Sequence, residues 1–189
     1  MKKVLLSFIV VIFTALHSFA QDDSPAKIGV GVDVGVPIGS ISNTYEVTMG
    51  LTAKAEIPIA SPVNLTFTTG FTGYVTKGGY SVNYTTDGSY SNGAVACFVP
   101  LEAGAKVYVA GKFFVEGDLG FSFNINSTSS DFTGKKVAPM YAPMAGYTIP
   151  FGSSRVSLDL SLRYEGRVES GGYSPYNQVA ARALFNFNL

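Results

Sequence analysis

The sequence predicts an all-β fold, an eight-stranded antiparallel up-and-down transmembrane β-barrel. Three observations predict it. Eight segments alternate apolar and polar side chains, their charges fall on one parity, and the connections between them are alternately long and short. Successive side chains of a strand point to opposite faces, so each such segment has one apolar and one polar face. Residues 155–167, RVSLDLSLRYEGR, show the pattern most fully. Val156, Leu158, Leu160, Leu162 and Tyr164 share one face; Asp159, Arg163, Glu165 and Arg167 share the other. A sheet of such strands must hide its apolar face in a protein core or in lipid.

The first twenty residues are set apart. Lys2 and Lys3 precede an apolar run ending at Leu16, and Ser18-Phe19-Ala20 stands before Gln21. A basic start, a short apolar stretch and small residues at −3 and −1 read as a secretory signal peptide over 1–20. The run is too short to span a bilayer as a helix. The expected domain layout is therefore 1–20 signal peptide and 21–189 barrel, one domain for a chain of this length. Without Lys2 and Lys3, 11 Lys+Arg face 13 Asp+Glu, a formal charge of −2. That lacks the basic excess of a nucleic-acid binder. The single histidine, His17, leaves with the signal peptide, which excludes Ser-His-Asp and Cys-His chemistry and removes the commonest metal ligand. Cys97 is the one cysteine, so no intramolecular disulfide or thiolate metal cluster is expected, and it reads as a small apolar residue. With 47% hydrophobic and only 14% charged residues, the chain is not a disordered one.

In order, residues 27–36 place Ile28, Val30, Val32, Val34 and Val36 opposite Gly29, Gly31, Asp33 and Gly35. A nucleotide-binding glycine turn would need a helix next, and Pro37 and Gly39 follow instead. The glycines let bulky partners approach across a narrow interior. Residues 45–59 set Tyr45, Val47, Met49 and Leu51 against Glu46, Thr48, Lys54 and Glu56, and turn at Ala60-Ser61-Pro62. Strand three covers about 64–75, with Leu65, Phe67 and Phe71 apolar, and a Gly/Ser/Tyr/Asn loop follows over 76–93. Residues 94–109 turn tightly at Ala110-Gly111-Lys112 into 113–125, where Leu119, Phe121 and Phe123 oppose Glu116 and Asp118. After a polar loop at 126–138, Pro139 and Pro143 remove ladder donors from strand 140–149, so a bulge or irregular start is expected there. Residues 150–154 turn into the strand described first, 168–177 form the last loop, and 178–189 close the chain. Long connections thus follow strands one, three, five and seven. All of them fall at one end, as in outer-membrane barrels with short periplasmic turns and long outside loops.

A soluble exported barrel would alternate too, with its apolar face inward. Three features favour lipid. Most strands approach the ten or so residues that a tilted membrane strand needs, whereas soluble strands usually stop near five or six. The polar parity is rich in small residues and poor in Lys, as a narrow interior requires. Tyr45, Phe113, Tyr147, Phe151, Tyr164 and Phe187 lie near strand ends, where interfacial aromatic girdles belong. The strand charges, Glu46 among them, sit on the polar parity; Lys or Arg on the other would cost about 2–4 kcal/mol at mid-membrane. Eight strands leave an interior only wide enough for side chains to fill. Glu56, Glu102, Lys106, Glu116, Asp118, Asp159, Arg163 and Arg182 are therefore expected to form a lumen ion network, with Glu116 and Asp118 meeting Lys106 or Arg163.

Residues 98–108 (FVPLEAGAKVY), 114–123 (FVEGDLGFSF), 156–164 and the terminal ALFNFNL carry a family resemblance. The chain resembles the small eight-stranded OmpA/OmpX-type outer-membrane barrels, in the porin-like β-barrel-domain form common in Bacteroidota. The resemblance covers nearly all of 21–189. It implies outer-membrane lipid and the barrel assembly machinery as partners, a monomer, a Gram-negative outer membrane as location, and no catalytic residue, cofactor or metal. The expected function is a non-enzymatic integral membrane barrel with a filled polar lumen. Its surface loops, notably 78–92 and 170–177, would serve envelope structure or surface contacts. The alternatives are passage or binding of a small solute or apolar ligand by the barrel, and a soluble exported β-barrel binding protein. An enzyme using Glu116 and Asp118 as an acid–base pair is the least supported.

Overall fold

The computed structural model describes residues 25–77, 82–84, 90–92, 95–126, 135–152, 155–169, 171 and 174–189. The signal-peptide expectation, and most of the 76–93 and 126–138 loops, lie outside the described residues. Eight long strands form one closed barrel. They are β1 (Lys27–Ile38), β2 (Tyr45–Ala60), β3 (Val63–Thr76), β6 (Val95–Ala110), β7 (Phe113–Asn124), β8 (Val137–Pro150), β9 (Val156–Arg167) and β10 (Asn177–Asn188). Each pairs antiparallel with its neighbours, and β1 closes the ring against β10 from Lys27↔Asn188 to Ile38↔Asn177. The long connections all leave one end, as expected. Within the 76–93 connection two short strands, β4 (Val82–Tyr84) and β5 (Tyr90–Asn92), pair as a separate hairpin. A short 3-10 turn, Gly39–Asn43, links β1 to β2.

The distribution of side chains is inside out relative to a water-soluble protein. Leu119 is 70% exposed and Leu162 66%, while Lys106 is fully buried and Arg163 is 2% exposed. Outward rows from all eight barrel strands are apolar, among them Val32, Leu51, Phe67, Leu101, Phe121, Tyr141, Leu160 and Phe185. A closed ring leaves no unpaired strand edge, which is the condition for strands to stand in hydrocarbon. No helix among the described residues is long and apolar enough to cross a membrane. The fold is that of a transmembrane barrel.

The narrow interior dictates where glycine is required. A Cβ on Gly31 would stand 2.3 Å from the Ala183 carbonyl oxygen and 2.8 Å from Leu184 Cα, so β1 and β10 can meet only because Gly31 has none. A Cβ on Gly104 would meet Asp118 Oδ1 at 2.0 Å and the Gly117 carbonyl at 2.3 Å. Gly104→Val is therefore expected to abolish the compact, heat-modifiable band of the folded barrel. Ala105→Val, on the exposed face one residue away, is expected to keep it.

The structure corrects two parts of the sequence reading. The register slips between Tyr45 and Val47, so Tyr45 turns into the barrel (5% exposed) and Glu46 turns out at the rim. Tyr45 is thus no girdle residue, and Glu46 no lumen charge. Second, β8 forms no bulge: it pairs with β7 from Phe113↔Tyr147 to Phe123↔Val137 without a shift, and the irregularity is confined to its β9 side. The reason is directional. The Pro139 carbonyl accepts from the Val168 N–H at 2.8 Å, so its missing donor faces β9, and Pro143, four residues on, faces the same way. The β7 ladder is untouched, while the β8–β9 pairs through Ala142 and Pro143 are missing with the register kept on either side. Pro100 on β6 leaves a similar gap opposite Gly70 and Phe71.

Among the other aromatic residues, Phe113, Tyr147, Phe151 and Phe187 are exposed at the turn end. The Phe113 and Tyr147 rings lie 4.7 Å apart. Tyr164 lies nearer the loop end, its ring 5.7 Å from that of Tyr141.

Candidate functional site

The inward parity of the strands converges on a lumen filled in three tiers, two of ion pairs and one of aromatic rings. At the turn end Lys106 Nζ donates to Glu56 Oε2 (2.9 Å) and Asp159 Oδ2 (2.7 Å). Its ammonium also stands 4.2 Å from the Phe114 ring centroid and 4.9 Å from that of Tyr108. Lys27 and Asn64 donate to Glu56 Oε1, and Thr148 donates to Asp159 Oδ1 at 2.6 Å. Each oxygen of both carboxylates is thereby occupied, which is what makes charge tolerable in a dry interior.

The middle tier holds three more clusters. Lys54 Nζ donates to Glu116 Oε1 at 2.7 Å. Arg163 reaches Glu102 Oε1 at 2.5 Å, Glu165 Oε2 at 3.3 Å and Asp118 Oδ2 at 3.5 Å. Thr66 adds a hydrogen bond to Asp118 Oδ1 at 2.9 Å. Across the closing seam Arg182 grips Asp33 with Nε to Oδ1 at 2.6 Å and Nη2 to Oδ2 at 3.1 Å. Arg182 is cross-strand partner to Asp33 itself, so this two-pronged geometry follows directly from the β1–β10 register.

The third tier caps the lumen at the loop end with rings. Tyr45, Tyr74, Phe98 and Tyr176 are all buried, together with Ile41 and Ala96. Phe98 and Tyr176 lie 4.8 Å apart, and Tyr74 meets Tyr45, Phe98 and Tyr176 edge to face at 5.3–5.8 Å. Such tilted contacts suit the ring quadrupole. Tyr45 and Tyr176 share a hydroxyl hydrogen bond at 3.3 Å. Arg167 lays its guanidinium 4.8 Å from the Phe98 ring and is ion-paired with Glu169.

All eight residues expected in the lumen are buried, and of the two pairings expected, that of Glu116 differs. Glu116 meets Lys54 rather than Lys106 or Arg163; Asp118 meets Arg163. Asp33, Lys54 and Glu165, charges on the same parity but outside those eight, join the network as well. Sequence reasoning missed the aromatic cap altogether. Tyr74 and Phe98 carry a signal, since both stand on the polar parity near the loop end of their strands; Tyr176 comes from a connection and carries none. Among the described residues no group of three or more His, Cys, Asp or Glu could hold a metal ion.

No protein-family model matches the chain, and no curated protein matches it. Solved structures do. The outer membrane protein Ail of Yersinia pestis, in a phospholipid bilayer nanodisc, is 14% identical with a TM-score of 0.52. The match covers 87% of this chain and 100% of that one. The crystal structure of Ail, the attachment invasion locus protein of Yersinia pestis, is 12% identical with a TM-score of 0.51, covering 87% and 98%. At such identity the likeness is one of fold: both are small eight-stranded barrels.

Proposed function

We propose that this chain is a non-enzymatic integral protein of the Gram-negative outer membrane, whose filled lumen is structural and whose outside connections make its contacts with envelope or surface. The observation that carries this reading is the inside-out wall. Apolar side chains face outward on every barrel strand, while the charges within the wall are buried in ion pairs. Only an apolar solvent around the ring favours that arrangement. On this reading the chain is a monomer inserted by the barrel assembly machinery. Glu116 and Asp118 act as packing charges rather than an acid–base pair. Both are buried and tied to Lys54, Thr66 and Arg163, out of reach of a substrate.

The test is fractionation of expressing cells with electrophoresis before and after boiling. Recovery with outer membranes and a heat-dependent shift in migration are expected. A soluble protein with no shift would contradict the proposal.

A second reading, passage or binding of a small solute or apolar ligand by the wall, is favoured by one feature: the β8–β9 ladder is interrupted beside Pro143. Planar-bilayer recording separates the two. The filled lumen predicts no conductance steps from the purified barrel, and reproducible steps would favour passage.

A further inference from the structure

Outside the barrel, short side chains make a groove that the filled lumen does not call for. Ala181 and Ala183 on β10 stand opposite Leu162 and Leu160 on β9, and Ala145 on β8 flanks Leu162 from the other side. The alanines form a floor between leucine and valine ridges, an open groove of about 770 Å³ with almost wholly apolar walls. That volume falls within the range of about 300–1,000 Å³ that small-molecule sites occupy. The groove runs to the β6–β7 turn, where it ends at Phe113 and Tyr147.

A cation waits at that end. Lys112 directly precedes Phe113, and its carbonyl accepts the Thr148 N–H at 2.9 Å, which holds the turn against β8 beside the groove. Lys112 and Arg155, on the neighbouring β8–β9 turn, are exposed. Neither has a carboxylate partner among the described residues, and the described residues of the short turns include no acid. We propose that the groove binds an anionic glycerophospholipid, with an acyl chain along the alanine floor and its phosphate on Lys112, Arg155 adding to the field. Apolar surface continuous with unpaired basic groups at the membrane boundary is the chemistry that selects an anionic lipid over a zwitterionic one. This inference rests on the membrane reading above.

Native mass spectrometry tests it, using the full barrel in detergent micelles. The micelles carry equal amounts of phosphatidylglycerol and phosphatidylcholine with identical acyl chains. One phosphatidylglycerol should be retained about fivefold more often than phosphatidylcholine, as expected for one basic contact. Lys112→Glu should erase that preference. Ala183→Phe should lower retention of both lipids, and Ala53→Phe, on the exposed face of β2, should change neither. Equal retention of the two lipids by the unaltered protein, or an equal loss in Ala53→Phe, overturns the proposal. Heat-modifiable migration is followed in every sample. If Ala183→Phe does not fold, Lys112→Glu alone decides, and loss of the shift in the unaltered protein reports failure of the membrane reading instead.

Discussion

Replacing Arg163 by methionine is expected to lower the unfolding free energy by about 3–5 kcal/mol, the cost of leaving buried charge without its partner. The guanidinium stands among Glu102, Asp118 and Glu165 and supplies the cation nearest to Glu102 and Glu165. Methionine keeps much of the stem's packing and removes all the charge. The carboxylates must then protonate or draw water into the lumen. Urea midpoints of the barrel in phospholipid vesicles, read from the heat-modifiable band, measure the loss. Arg163→Met combined with Glu102→Leu should recover part of it, because a buried ion pair is often no more stabilising than apolar residues of similar volume. A loss no larger than about 1 kcal/mol, the range of solvent-exposed pairs, would contradict a dry and paired interior.

The second large effect is expected on the opposite face. Leu119→Arg puts a charge where the wall is most exposed, midway along β7. In a bilayer it should cost about 2–4 kcal/mol, falling to about 0–1 kcal/mol for Val109→Arg near the turn end of β6. Were the barrel bathed in water, both changes would sit on a solvated surface and shift stability by no more than about 0.5 kcal/mol. The contrast between the two depths, measured in vesicles, therefore reports which solvent the wall is built for. Equal and negligible effects at both positions would remove the basis of the membrane reading.

The strands and their faces were legible because both follow from neighbours in sequence. Period-two alternation located β1, β6, β7 and β10 to within a residue or two, and the order of long and short connections supplied the meander. Where the reading failed, a non-local fact intervened. One slipped residue after Tyr45 was enough to exchange the faces of Tyr45 and Glu46, and no composition rule marks that slip. Pro139 and Pro143 were seen, but whether their missing donors face β7 or β9 depends on the ladder phase. Ion partners were the least legible. Lys54 and Glu116 lie 62 residues apart and meet across the lumen. Which charge faces which there is set by strand tilt and stagger, quantities the alternation does not contain. Asp33 with Arg182, and Lys27 with Glu56, are direct cross-strand neighbours, so those two pairings need only the register.

The pairing of Asp33 with Arg182 also bears on how the molecule is born. Its two halves are separated by 149 positions in a chain of 189, and they touch only where the first stave of the hoop meets the last. Until β10 is in place, β1 and β9 both present bare amides and carbonyls that hydrocarbon cannot satisfy, and Asp33 lacks its counter-ion. Joining the hoop settles all of these debts in a single event. A polypeptide that stops short of Arg182 is therefore expected to lack the heat-modifiable form of the closed ring.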